Sequence, residues 1–220
     1  MSPPIADRGK VHYMAMSRLT NEVHMQFREL MVQNRTRRKF DESRPVDIQI
    51  LVDLVELTRF IPSGKNMQPL KYIAVADKVQ CDAIFPLLGW AGYLKDWKGP
   101  ADGERPTGYI VVMLDRNLAD TPGCDHGIAS QSIMLGAVEK GLGGCIIGTV
   151  NRKKLSRMLD LSENFDILLV LALGVPAQDV VVESLPSDGS IQYWSGNDGK
   201  HHVPKRGLDD LLVGCYPEKK

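Results

Sequence analysis

Between Asn34 and Phe40 the chain reads Asn-Arg-Thr-Arg-Arg-Lys-Phe, with four cationic side chains at Arg35, Arg37, Arg38 and Lys39 and a hydroxyl at Thr36. Arginine presents a planar fork of donors that matches phosphate oxygens, and charge-assisted bonds are about twice as strong as neutral ones. Such a run can hold a dianion, although taken alone a basic cluster is more often a solvated face whose exposed pairs contribute little. A second stretch, Pro62-Ser63-Gly64-Lys65-Asn66-Met67-Gln68-Pro69, gathers short polar side chains in a loop between a helical pattern and a strand pattern. Side chains of that kind can read the polar edge of a planar ring. A third, Gly141-Leu142-Gly143-Gly144-Cys145-Ile146-Ile147-Gly148, lets the backbone come close to a flat ligand.

Other chemistries find no footing. Gly141 and Gly143 lack the third glycine of a dinucleotide fingerprint, and neither a phosphate-loop lysine motif nor a G-x-S-x-G nucleophile turn is present. Cys81, Cys124, Cys145 and Cys215 have no C-x-x-C spacing, and His126, His201 and His202 sit in no ligand pattern, so no metal is expected. Cys145 reads as a small buried apolar residue rather than a redox thiol.

Elements must position these stretches. Val23, Phe27, Leu30 and Met31 fall at helical spacing and predict a helix over 17–33 that delivers the chain into the basic run. Pro45 and Asp47 start a second helix, striped by Ile48, Leu51, Val52 and Val55, which ends before Pro62. Strands are expected over 70–76, 109–114, 144–147 and 167–175, and helices over 78–88 (bent or ended by Pro86), from a cap at Asp125 to Gly141, and from a cap at Asn151 to Leu159. Ala129, Ser130, Gly136 and Ala137 make the Asp125 helix slim enough for close helix approach, which suits a dimer core. The stretch 89–108 carries Trp90, Tyr93 and Trp97 among charges, glycines and prolines, and is either a surface excursion pinned by its aromatics or a lid over a flat ligand. Residues 1–16 read as a flexible or partner-wrapping extension, and 176–199 as turn-rich.

With 220 residues and no linker or repeat, one α+β domain over 17–220 is expected. Lys plus Arg and Asp plus Glu number 27 each, and this balance argues against wholesale binding to nucleic acid or an anionic membrane. Scattered cysteines and the absence of a long apolar run predict a soluble, cytoplasmic protein.

The Arg-Thr-x-Arg cluster, the Ser-x-x-Asn-x-Gln-Pro loop and the glycine-rich segment, in this order and followed by Lys205 and Arg206, resemble the FMN-dependent nitroreductase family. The resemblance implies a nitroreductase fold, with a central mixed, largely antiparallel sheet flanked by helices, in a homodimer whose site lies between subunits. It implies FMN with its phosphate on Arg35, Thr36 and Arg38 helped by Lys205 or Arg206, with Ser63, Asn66 and Gln68 at the ribityl chain or ring edge. It also implies a ring beside Ile146, Ile147 and Gly148, where a main-chain N–H faces N5, and Trp90, Tyr93 and Trp97 over the substrate. No catalytic side chain is obligatory, since position and electrostatics suffice for hydride transfer on a flavin. The implied reaction takes hydride from NADH or NADPH and gives it to a nitroaromatic, a quinone or a similar electron-poor acceptor in ping-pong fashion. Enone reduction, reductive dehalogenation, flavin breakdown, a flavin-binding protein without turnover and a polyanion-binding module remain alternatives. Asn34 stands where the family pattern has Arg, at a cost on the order of 1.5 to 3 kcal/mol in phosphate binding unless Arg37 or Lys39 compensates.

Overall fold

The structure is a computed structural model and describes residues 26–94 and 96–216. The expected extension at 1–16 and the first part of the helix expected over 17–33 lie outside the described residues. What is described of that helix is α1, Phe27–Gln33, followed by α2, Ile48–Glu56. Asp47 caps α2 by accepting from the Gln49 amide at 2.7 Å, and Leu51 and Leu54 are its fully buried positions. The α-helix gives way at Leu57 to a 3-10 turn that ends at Phe60, where the Thr58 hydroxyl donates to the Val55 carbonyl.

Four strands make the central sheet: β1, Leu70–Val75; β2, Gly108–Asp115; β3, Gly143–Ile147; and β4, Phe165–Gly174. Their order is β1-β2-β4-β3, and every pairing among them is antiparallel. The parallel pairing expected of a mixed sheet lies elsewhere, in a bridge from Thr36 to Gly144 at the free edge of β3 and in the small second sheet described below. β2 is buried along its whole length, which is why its sequence is almost continuously apolar.

Helices cover both faces. On one, α2 and α4, Asp125–Glu139, pack around Ile110, Val112, Leu171 and Leu173. On the other, α3, Lys78–Ile84, and α5, Arg152–Met158, close over Tyr109, Val111, Val170 and Ala172 together with Cys145 and Ile147. Asn151 caps α5 as expected, and Pro86 falls in the 3-10 turn Phe85–Leu87 that succeeds α3. The slimness of α4 is used within the chain: a Cβ on Gly136 would meet Leu57 Cδ1 at 2.4 Å and Leu54 Cδ2 at 3.0 Å.

The region 176–199, expected to be turn-rich, holds two strands of a second sheet. β5, Val180–Ser184, pairs in parallel with β7, His201–Lys205, and β6, Trp194–Ser195, pairs antiparallel with β7. The short α6, Leu208–Leu211, follows. Among the described residues no helix is long and apolar enough to cross a membrane.

Candidate functional site

The basic run is extended and stitched to the sheet by main-chain atoms. The Arg37 amide donates to the Gly144 carbonyl at 2.8 Å, Thr36 bridges Gly144, and the fully buried Phe40 bridges Pro176. Side chains along the run then part company. Arg35 turns back onto α1, its Nε donating to the Asn34 carbonyl at 2.8 Å and its Nη2 to the Met31 carbonyl at 3.1 Å. Arg37 donates to the Gln178 carbonyl, and Lys39 pairs with Glu104 at 2.9 Å. Asn34 reaches α4, with Nδ2 3.5 Å from Gln131 Oε1.

Arg38 is placed differently. Its amide is held by Gln178 Oε1 at 2.9 Å, its guanidinium carbon lies 5.0 Å from the centre of the Tyr193 ring, and its Nη1 is 3.4 Å from His201 Nε2. It forms no ion pair among the described residues. Beside it opens a cavity of about 550 Å³, lined by Arg38, Lys39 and His201 together with Tyr93 and Trp97. Burial, then the neighbouring Arg38 and His202, push the His201 imidazole below its usual range. Burial likewise raises the Cys145 thiol, against a smaller lowering by Arg38.

β3 carries the glycine-rich segment. Gly144 is confined, since a Cβ there would lie 2.6 Å from the Ala172 carbonyl oxygen and 2.7 Å from Leu173 Cδ2. Gly148 is open, with nothing within 4 Å of such an atom. Between them Ile146 is 44% exposed on an otherwise buried strand, while Ile147 is buried.

The Ser63–Pro69 loop is fixed by Asp125. The Ser63 hydroxyl donates to Oδ2 at 2.6 Å and the Gly64 amide to Oδ1 at 3.1 Å, and the Gln68 amide returns to Ser63 Oγ at 2.9 Å. Lys65, Asn66 and Gln68 all take positive φ, at 52°, 55° and 49°, a conformation that persists only when surroundings impose it. Gln68 Nε2 donates to the Asn66 carbonyl and to Asn66 Oδ1. Asp125 therefore does not cap α4 as the sequence suggested. It is the first residue of that helix and its carboxylate is spent on a loop 62 positions away. Within one chain this loop and Arg38 line separate cavities with no lining residue in common.

The family model described as Nitroreductase family matches residues 31–98 and 104–175, well over half of the chain. The chain belongs to the nitroreductase family. YodC of Bacillus subtilis (strain 168), provisionally named an NAD(P)H nitroreductase, is 21% identical over 173 residues, covering 62% of this chain and 83% of that protein. Among solved structures, a nitroreductase family protein of Clostridium novyi NT superposes with a TM-score of 0.57 at 26% identity, over 69% of this chain and 87% of the other. A nitroreductase family protein of Streptococcus pneumoniae TIGR4 gives 0.60 at 17% identity, over 74% and 97%. A protein of Clostridium difficile R20291 named FMN-dependent nitroreductase gives 0.57 at 20%, over 68% and 87%.

Against the nitroreductase expectation, the residues fall into groups. Thr36 and Arg38 belong to the run that lies along the free edge of β3, the strand that carries Ile146 and Ile147 and leads to Gly148. Arg35 is occupied at the end of α1. Lys205 ends β7 and Arg206 follows it, four and five residues past the His201 that touches Arg38, and neither makes a side-chain hydrogen bond or ion pair among the described residues. The aromatics of 89–108 divide. Trp90 packs inward, its ring 5.6 Å from Phe85 and its Cδ1 2.8 Å from where a Gly99 Cβ would be, so it pins the excursion. Tyr93 meets Tyr193 at 5.0 Å, and Trp97 lines the cavity beside Arg38. Sequence reasoning missed Tyr193, His201 and Gln178 as neighbours of Arg38. No local signal marks them, since Gln178 and His201 lie 140 and 163 positions away.

Proposed function

We propose that the chain is an FMN-dependent oxidoreductase that uses NADH or NADPH to reduce nitroaromatic, quinone or related electron-poor acceptors, donor and acceptor taking the same place in turn. The observation that carries this is the stitch between the basic run and β3, which sets Thr36 and Arg38 beside a strand that carries the exposed Ile146 and leads to the open Gly148. Names borne by the Bacillus subtilis and Clostridium difficile relatives support the same donor and cofactor.

The donor set fits FMN. Arg38 offers a charge not cancelled by a carboxylate, the exposed Thr36 hydroxyl adds a neutral donor, and backbone at Gly148 has room for a flat ring. Gln68 Oε1 and Asn66 Nδ2, left over after their mutual bond, are an acceptor and a donor for a ring edge. FMN, when bound, supplies hydride acceptance and release. The protein's own residues bind, orient and keep water from the ring, and none is required to move a proton.

A second copy of the chain completes this reading. The Ser63 loop and Arg38 open into different cavities of one chain, while Phe27, Val32 and Phe60 stand 68%, 64% and 59% exposed. An isologous pair would bury that apolar surface and bring loop and basic run from different subunits together. We likewise take 17–220 as one FMN-binding domain, with 89–108 flanking the substrate.

The deciding test is a visible absorption spectrum of the purified protein, followed by anaerobic NADH and then NADPH. A flavin band that bleaches with either, and returns on adding a nitroaromatic or quinone, is expected. Protein that stays colourless after incubation with FMN and removal of the excess would sink the proposal.

A further inference from the structure

We propose that Asp125, buried at the start of α4, is a positioning residue that holds the Ser63–Pro69 loop in the shape that receives FMN. This rests on the FMN reading above, which brings Ser63, Asn66 and Gln68 to the flavin. It goes beyond that reading by giving a task to a carboxylate that acts through the loop from 62 positions away.

The loop does not owe its shape to its own sequence. Lys65, Asn66 and Gln68 all carry a Cβ, yet they take φ of 52°, 55° and 49°. Left-handed backbone is unfavourable for such residues and persists only where the surroundings over-determine it. Apolar packing does not impose it here, because every residue from Gly64 to Gln68 is exposed. Bonds inside the loop, from the Asn66 amide to the Ser63 carbonyl at 2.9 Å and the Met67 amide to the Gly64 carbonyl at 3.1 Å, close a turn without tying it to the body of the domain. At its exit the Pro69 carbonyl accepts from the Asp115 amide at 2.8 Å. At its entrance the tie is Asp125, 7% exposed, which takes the Ser63 hydroxyl on one oxygen at 2.6 Å and the Gly64 amide on the other at 3.1 Å.

That tie reaches the groups that would meet a flavin. Ser63 Oγ passes it on by accepting from the Gln68 amide at 2.9 Å, so two hydrogen bonds connect the carboxylate to Gln68. The Gln68 side chain is in turn locked on Asn66, its Nε2 3.2 Å from the carbonyl oxygen and 3.1 Å from Oδ1. Asn66 and Gln68 line a cavity of about 350 Å³ whose wall includes Ser63 and Asp125. A loop that wandered among shapes would present these two side chains together only part of the time, and apparent affinity falls by the fraction of time a competent shape is populated. Asp125 removes that cost before the ligand arrives.

Full-length protein stripped of flavin is titrated with FMN, following flavin fluorescence, each variant under conditions where circular dichroism shows it folded. Asp125→Ala should bind FMN roughly 10- to 100-fold more weakly than wild type, the cost of a competent loop shape populated about 10% to 1% of the time. Asp125→Asn, which still accepts from one of the two donors, should lie between them. Ile84→Ala, in α3 under the opposite face of the sheet, empties a fully buried site and destabilises the domain without touching the loop, and should bind FMN within about twofold of wild type. The Gln68 amide should exchange hydrogen faster in flavin-free Asp125→Ala than in wild type and regain its protection on saturation with FMN. If Asp125→Ala proves too unstable to titrate, Asp125→Ser, too short to reach the loop yet suited to a helix start, must show the same weakening. FMN affinity within about threefold of wild type in these variants, or an equal loss in Ile84→Ala, would overturn the positioning role while leaving the cofactor intact. Wild type that takes up no FMN would overturn the FMN reading itself, and this role with it.

Discussion

Replacing Asp125 by alanine should loosen the Ser63–Pro69 loop and lower the stability of the whole domain. The carboxylate accepts from the Ser63 hydroxyl at 2.6 Å and the Gly64 amide at 3.1 Å, and its residue is buried at the start of the 15-residue α4. Hydrogen bonds to a charged acceptor contribute about 1.5 to 3 kcal/mol each, the exposed Gly64 amide lying at the low end because water replaces its partner. A negative charge in the first turn of a helix adds about 0.3 to 1 kcal/mol. Both bonds end on one carboxylate and are not additive, so a loss of about 3 kcal/mol is the working figure. With a urea m-value of about 3 kcal/mol/M for a domain of this size, the midpoint should fall by about 1 M at matched protein concentration. Asp125→Asn keeps an acceptor for Gly64 and should cost about half as much. Hydrogen exchange at the Gly64 amide should quicken in the alanine variant. A midpoint for Asp125→Ala within about 0.2 M of wild type, or equal midpoints for the Ala and Asn variants, would refute this account of the loop.

Gly144→Ala should destabilise by several kcal/mol, about 3 or more, because its Cβ would fall 2.6 Å from the Ala172 carbonyl oxygen, whereas Gly148→Ala, in open space, should unfold within about 0.5 kcal/mol of wild type. Gly148→Val should fold normally and yet retain little FMN after gel filtration if the ring lies there. His201 is held below its ordinary titration range mainly by burial, so the unfolded chain binds the extra proton first. Its contribution to stability is complete above the unfolded pKa of about 6.5 and is lost as pH falls below it. His202 is raised by Glu183 and Asp198, so its contribution is present below about 6.5 and fades as pH rises through its higher folded value. Urea midpoints measured from pH 5 to 8 should therefore lose their acid slope in His201→Leu and their alkaline slope in His202→Leu.

The central sheet was legible because β2 and β4 are so apolar that few other placements suit them, and because Asp47, Asn151 and Pro86 punctuate helices in the usual way. The second sheet was hidden. Val180-Val181-Val182 is a fair strand signal, but its partner lies 21 residues on across a glycine- and serine-rich turn, and β6 is only Trp194–Ser195. Asp125 was misassigned for a related reason: a carboxylate at a helix start looks the same in sequence whether it serves its own amides or a loop from far upstream. The basic run was identified as a unit, yet its members have different fates. Extended backbone sends alternate side chains to opposite sides, and a composition argument treats Arg35, Arg37 and Arg38 alike.

The run from Arg35 to Phe40 is attached by atoms that every residue possesses: the Arg37 amide on the Gly144 carbonyl, the Arg38 amide on Gln178, the Phe40 amide on the Glu104 carbonyl. Only Phe40 is anchored by a fully buried side chain. The identities at 34 to 39 can therefore drift over generations without displacing the thread that bears them, and a new assortment of charges is presented at an unchanged address. Asn34, docked on Gln131, stands where the family resemblance implies an arginine and fits such an exchange. The charge pattern of the run is thus free to change one letter at a time, while the confined Gly144 keeps the rail itself in place.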